Sequence, residues 1–244
     1  MAMAGTLTAL FTAHLLGCFI SQTAWMAGRK RRVWAPVLSA AIVTSASYVL
    51  LGSFHWQILL VIFLAHMALD AIEAYRQLRS LAALLAIQLV HLAVLLALAF
   101  RFPGAAQEGW WVASRTPELS GWYFAALTFI SGLLLCVPIG GNLIARLSGR
   151  FADEIRGNDI TGLKRGGQYI GWLERFLVML LLLMDQPNGI GFLIAAKSVL
   201  RFGEIKDQSQ RKVAEYIIIG TFLSFGWALL ISVMTQKALR FWIP

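Results

Sequence analysis

An all-α integral membrane protein, a bundle of about eight transmembrane helices whose seventh is short or re-entrant, is the fold class that three features of the sequence predict. The first is composition. Of 244 residues, 59% are hydrophobic and 14% charged, more apolar surface than a soluble core of this length needs. The second is a series of eight apolar runs near membrane-crossing length, which is roughly 20 residues at 1.5 Å of rise each. The third is charge placement, because the basic residues fall in short clusters between the runs and alternate between rich and poor connections.

The runs are 5–27, 35–52, 56–75, 80–100, 121–145, 169–184, 189–201 and 215–236. The seventh follows the turn Gln186-Pro187-Asn188-Gly189 and is cut short by Lys197 and Arg201, which is why it reads as a half-length or re-entrant helix. Pro138 with Gly140-Gly141 predicts a kink near the end of the fifth. The polar, glycine-rich stretch 146–168 reads as a cytoplasmic loop with a short surface helix. The connection 101–120 is the longest outer loop and the best internal boundary, dividing one membrane domain into a half at 1–104 and a half at 105–244. Leu15-Leu16-Gly17-Cys18 resembles a lipidation signal, but no Lys or Arg precedes it, so the run at 5–27 is expected to stay as the first span with Cys18 unlipidated.

Arg29, Lys30, Arg31 and Arg32 follow the first run, Arg76 and Arg79 the third, Arg146, Arg150, Arg156, Lys164 and Arg165 the fifth, and Lys206, Arg211 and Lys212 the seventh. The intervening connections hold Arg101 and Arg115, with Lys237 and Arg240 at the C-terminal end. By the positive-inside rule the rich loops are cytoplasmic and both termini lie outside the inner (plasma) membrane. The formal net charge of +9 is accounted for by these clusters, which meet anionic lipid rather than nucleic acid. Membrane lipids are thus the expected partners. Trp110, Trp111 and Trp122 on the outer side, with Trp25 and Trp34 on the inner, sit where aromatic belts form. The two cysteines, Cys18 and Cys136, lie inside apolar runs and have no spacing for a disulfide framework or a zinc ribbon.

Against this apolar background two polar constellations stand out. A helix turns about 100° per residue, so positions three or four apart share a face. His14, Cys18, Ser21 and Gln22 form one stripe, His66, Asp70 and Glu73 a second, and Gln88 with His91 a third pair. Imidazoles and a carboxylate in hydrocarbon are costly without a partner, a cavity or an ion, which makes them a functional-site hypothesis by default. In the predicted topology all fall between mid-membrane and the cytoplasmic side. His14, Cys18, His66, Asp70 and His91 are candidate metal ligands, a mixed set that suits a divalent ion, with Cys18 tilting it toward zinc. The plainer alternative is that these groups hydrogen-bond between helices as polar glue. His55, in an outer turn, is expected to be solvated.

The second constellation is Glu174-Arg175 on the sixth run with Lys197, Arg201 and Glu204 on the seventh and Glu215 opening the eighth. Lys197 and Arg201 share a face. One reading is a set of ion pairs with snorkelling cations. The sharper one is a cationic shelf in which Glu174, Arg175, Lys197 and Arg201 hold an anionic lipid or another phosphate.

At these residues the chain resembles an uncharacterised family of bacterial multi-pass membrane proteins, a domain of unknown function. The resemblance rests on His14-Leu15-Leu16 with Gln22-Thr23 and Trp25-Met26, on His66 with Asp70, and on Gln88 with His91. It continues in Ile170-Gly171-Trp172-Leu173-Glu174-Arg175, in the block from Ile190-Gly191-Phe192 to Arg201-Phe202 that contains Lys197, and in Ala214-Glu215-Tyr216 to Gly220-Thr221. Where that family tends to carry aspartate, this chain has Cys18 and Ile87, which implies a site poorer in carboxylates. The His66-x3-Asp70 spacing is also similar, by analogy, to that of membrane-bound metal-dependent hydrolases.

The leading functional expectation is an intramembrane metal-dependent hydrolase acting on a lipid or amphipathic phosphate ester near the cytoplasmic leaflet. His14, His66, Asp70 and His91 would hold a zinc-like ion that activates water. Asp70, Gln22 and Gln88 would orient water or substrate, and Lys197 and Arg201 would stabilise the anionic group. The alternatives are a transporter or channel that uses the mid-membrane His and Asp residues, or a structural or sensory subunit of a larger membrane complex.

Overall fold

A computed structural model describes residues 1–21, 32, 34–76, 80–153, 165–202 and 211–243. Among the described residues the chain is helical throughout and has no β-strand. The helices are α1 (Ala2–Ser21), α2 (Trp34–Leu51), α3 (Trp56–Arg76), α4 (Leu81–Arg101), α5 (Pro117–Leu134), α6 (Gly140–Asp153), α7 (Gly166–Leu183), α8 (Asn188–Phe202) and α9 (Arg211–Trp242). A five-residue π-helical segment, Leu135–Ile139, joins α5 to α6 and contains Pro138. Where a kink was expected from Pro138 and Gly140-Gly141, the helix carries this π insertion.

By length and composition, five stretches among the described residues are fit to cross a membrane: Trp34–Leu51, Trp56–Arg76, Leu81–Arg101, Pro117–Gly149 and Ala214–Trp242. Eight crossings were expected, and five helices among the described residues meet that length and composition. α1 and α8 contribute only the shorter apolar stretches Ala2–Cys18 and Asn188–Val199, and α7 carries the adjacent charges Glu174 and Arg175. The outer faces of α3 and α4 are apolar, with Leu89 65% and Phe100 78% exposed. Such a surface is disfavoured in water and suits lipid. The chain is a multi-pass helical membrane protein.

Two compact units divide the chain, Met1–Ser131 with Ala238–Pro244 and Gly132–Lys237. The division falls inside a helix, beyond the loop 101–120, because that loop packs back onto the first helices. Thr6 Oγ1 donates to Pro103 O at 2.9 Å and accepts from Ala106 N, while Ser53 Oγ donates to Ala105 O at 2.7 Å. The Trp110 backbone N–H donates to Gly52 O and the Trp111 indole to Val49 O. Gly52 sits at φ +69°, a left-handed turn that glycine makes without strain and that ends α2.

In the first unit α1 is the central element. Ala9, Leu10 and Ala13 are wholly buried. Gly5, Ala9, Ala13 and Gly17 form a stripe of small residues every fourth position, the pattern that lets helix backbones approach closely where hydrocarbon supplies no hydrophobic drive. The stripe is used at both ends: an ideal Cβ on Gly5 would lie 2.7 Å from Phe124 Cζ, and one on Gly17 would overlap Val43. Leu51, Ile58, Ile62 and Leu95 fill the core around it. Ser80 caps α4 by accepting from Ala83 N, and Pro103, lacking an N–H, follows the helix's end. Trp242 at the end of α9 packs on Phe124 with ring centroids 4.8 Å apart. The start of α1 and the end of α9 thus meet at the same end of this unit.

The second unit is organised around the π segment. Cys136, Val178, Met179, Phe225, Ala228 and Ile231 form its core, drawn from the π segment, α7 and α9. Two carbonyls of the π segment, both of which also accept from the Gly140 N–H, take a further bond from a side chain. Leu135 O accepts from Trp227 Nε1 at 2.9 Å, and Val137 O accepts from Arg175.

Candidate functional site

Three imidazoles meet inside the first unit. α1 brings His14, α3 brings His66 and α4 brings His91, with exposures of 3–4%. Ring centroids stand 5.1 Å apart for His14 and His66, 4.9 Å for His14 and His91, and 4.3 Å for His66 and His91. His14 Nδ1 lies 2.9 Å from His66 Nε2, and His14 Nε2 lies 3.0 Å from Gln88 Oε1. Cys18, one turn along α1, puts Sγ 3.4 Å from His14 Nε2.

The backbone fixes part of the hydrogen pattern. His66 Nδ1 lies 3.0 Å from Ile62 O, and His91 Nδ1 lies 3.0 Å from Ile87 O. A carbonyl only accepts, so both Nδ1 atoms carry hydrogen and both neutral rings present a bare Nε2 to the interior. His14 must then donate Nδ1–H to His66 Nε2. The Nε2 of His91 is buried and has no hydrogen-bond partner.

The structure therefore gathers His14, His66, His91, Gln88 and Cys18 at one place. Asp70 is half-buried one turn beyond His66 on α3. Among the described residues no set of three or more His, Cys, Asp or Glu is disposed to hold a metal ion. Direct contact between His14 and His66 occupies the very atoms that ligation would use. Gln22 lies outside the described residues. His55, expected to be solvated, instead pairs with Glu108, its Nε2 lying 3.2 Å from Oε2.

In the second unit the sequence reading placed Glu174, Arg175, Lys197 and Arg201 together. Lys197 Nζ bonds Glu174 Oε2 at 2.7 Å, joining α8 to α7 with both side chains largely buried. Arg175 turns inward and is 4% exposed. Its Nε and Nη2 donate to Val137 O at 3.3 and 3.1 Å, and its Nη1 donates to Ser224 Oγ at 2.9 Å. The side chain of Arg201 and the whole of Glu204 lie outside the described residues.

Sequence reading missed Ser224 and the Val137 carbonyl, and the second of these has no side-chain signature. It also missed the small-residue stripe of α1, whose signal was the four-residue spacing of Gly5, Ala9, Ala13 and Gly17.

No curated protein and no solved structure matches the chain. The C-terminal stretches that suggested a family resemblance lie beyond the matched region, whereas His14, His66, Gln88 and His91 all fall within it. Residues 6–113, the segment that builds the histidine cluster, match the family described as "Protein of unknown function (DUF3307)".

Proposed function

We propose that the histidine cluster is an intramembrane proton-holding site and that the protein is a proton-linked carrier or channel rather than a hydrolase. The hydrogen count in the chain from His66 through His14 to Gln88 carries this reading. With His14 Nδ1–H committed to His66, two arrangements satisfy the remaining contact. In the neutral one, His14 Nε2 is bare and Gln88 turns its NH2 toward it. In the other, His14 bears both hydrogens and Gln88 presents its oxygen. The two differ by one proton and a half turn of an amide, and the orientation of such an amide is set by the network around it. A buried site that gains or loses a proton with so little rearrangement suits a proton path through hydrocarbon. Hydrolysis needs an open position for water and a route for substrate, and rings exposed by only 3–4% favour neither.

A zinc-held form is the second reading. It is supported by the Nδ1 contacts of His66 and His91 with backbone carbonyls, the arrangement that fixes ligating imidazoles with Nε2 free. His14 would exchange its bond to His66 for the ion.

For topology, we take α1, α7 and α8 as further crossings, eight in all, since α1 is buried among spanning helices. The arginine-rich connections then face the cytoplasm of a bacterial cell and both termini face outward.

The test is 15N-histidine NMR of the protein in nanodiscs, with side-chain amide resonances followed across pH. One imidazole is expected to gain its second proton in step with a change at the Gln88 amide, and the purified protein is expected to hold no stoichiometric zinc by elemental analysis. Independent behaviour of His14 and Gln88 would refute the proton reading, and one zinc per chain lost on His66→Ala would establish the second.

A further inference from the structure

A cavity of about 560 Å³ opens in the second unit between α6, α7 and α9, lined by Gly141, Trp172, Arg175, Tyr216, Thr221 and Ser224 among others. Arg175 brings to its wall a permanent positive charge. The neighbouring carboxylate, Glu174, bonds Lys197, and among the described residues the Arg175 guanidinium donates to the Val137 carbonyl and the Ser224 hydroxyl. These neutral acceptors take three of the five guanidinium N–H groups, and the cavity's charged lining, Arg175 and Lys197 against Glu174, carries one net positive charge. A buried charge is costly unless an opposite charge compensates it.

A second donor converges on the same space. Trp172 Nε1 is buried and has no hydrogen-bond partner, and an indole N–H has no other use for its hydrogen. An ideal Cβ on Gly141 would lie 2.7 Å from Arg175 Nη2 and 3.1 Å from Trp172 Nε1. Both donors thus pack against Gly141, which lines the cavity with them. Ile144, Ala145 and Ile170 make the rest of the lining partly apolar.

We propose that this cavity binds a phosphate group, with Arg175 and Trp172 as its donors. Arg offers a planar fork matched to two phosphate oxygens, and the indole N–H supplies a third contact. The apolar lining and a volume far beyond one phosphate leave room for the body of an amphiphile, so the source is either a lipid headgroup or free phosphate.

The experiment uses the full chain in a neutral detergent and native mass spectrometry with three probes: dihexanoyl phosphatidic acid, dihexanoylglycerol and inorganic phosphate. Trp172→Phe keeps an aromatic ring and deletes the N–H, and Arg175→Lys keeps the charge and deletes the fork. Since Arg175 also braces the π segment, its variant is read only if its unfolding midpoint matches the wild type; Trp172→Phe carries the test otherwise. Phosphatidic acid is expected to bind where dihexanoylglycerol does not, with an affinity reduced about tenfold by Trp172→Phe. Inorganic phosphate binding as tightly as phosphatidic acid, with the same loss in the variant, identifies free phosphate as the source. Binding of neither phosphate probe, or equal binding by wild type and Trp172→Phe, overturns the proposal.

Discussion

The His66 ring stands 4.3 Å, centroid to centroid, from the His91 ring, and the Nε2 of His91 between the helices bonds nothing. An unsatisfied buried polar atom costs about 1–3 kcal/mol. His91→Phe keeps an aromatic ring of similar girth and removes that atom, so thermal unfolding in detergent should show stability held or raised. His66→Phe should do the opposite, because it strips His14 of its acceptor. Loss of stability in both variants to the same degree would mean that His91 Nε2 has a partner in solution.

Gly17 faces Val43 across the contact of α1 with α2, one turn past His14. Gly17→Ala should destabilise the protein by about 1–3 kcal/mol through overpacking. Val43→Ala should recover most of that loss in the double variant, since it clears the atoms a methyl group would meet. Additive losses in a double-mutant cycle would show that the two helices do not meet there.

Lys197 and Glu174 are 17% and 13% exposed in their side chains. Breaking the pair by Lys197→Met should cost about 3 kcal/mol, the lower end for a buried ion pair that loses one partner. The exchange of Glu174→Lys with Lys197→Glu should restore most of it. Chemical unfolding of the four chains of the cycle measures this, and a coupling near zero would place the pair in solvent.

Topology is open to direct labelling. Arg115→Cys should react with an impermeant maleimide from outside the cell, and Arg32→Cys only after the membrane is opened. The expectation follows from the charge alternation, and the reverse pattern would invert the protein.

Helix existence was legible wherever an apolar run was bounded by charge or by a turn residue. α4 begins at Ser80 and α2 ends at Gly52 for reasons written in those residues. The histidine cluster was legible because His14, His66 and His91 are rare residues in apolar runs and each stands at helical spacing from another polar group. Asp70 was grouped with His66 because residues four apart share a face, and it lies half-buried one turn along α3. The Arg175 environment was not legible at all. Its acceptor is a backbone carbonyl within a π turn, and no residue pattern distinguishes a proline that kinks a helix from one that inserts an extra residue into the turn.

Phe124 begins to be covered by Gly5 of α1 and is completed by Trp242 of α9. Those two contacts are separated by the entire second unit in order of synthesis. The first unit therefore cannot close as its helices leave the ribosome one after another; its final aromatic contact waits until residues 132–237 have been made. Until then the Phe124 edge lacks the close packing that Trp242 supplies, and a chain interrupted in its last helix would leave that edge against lipid tails.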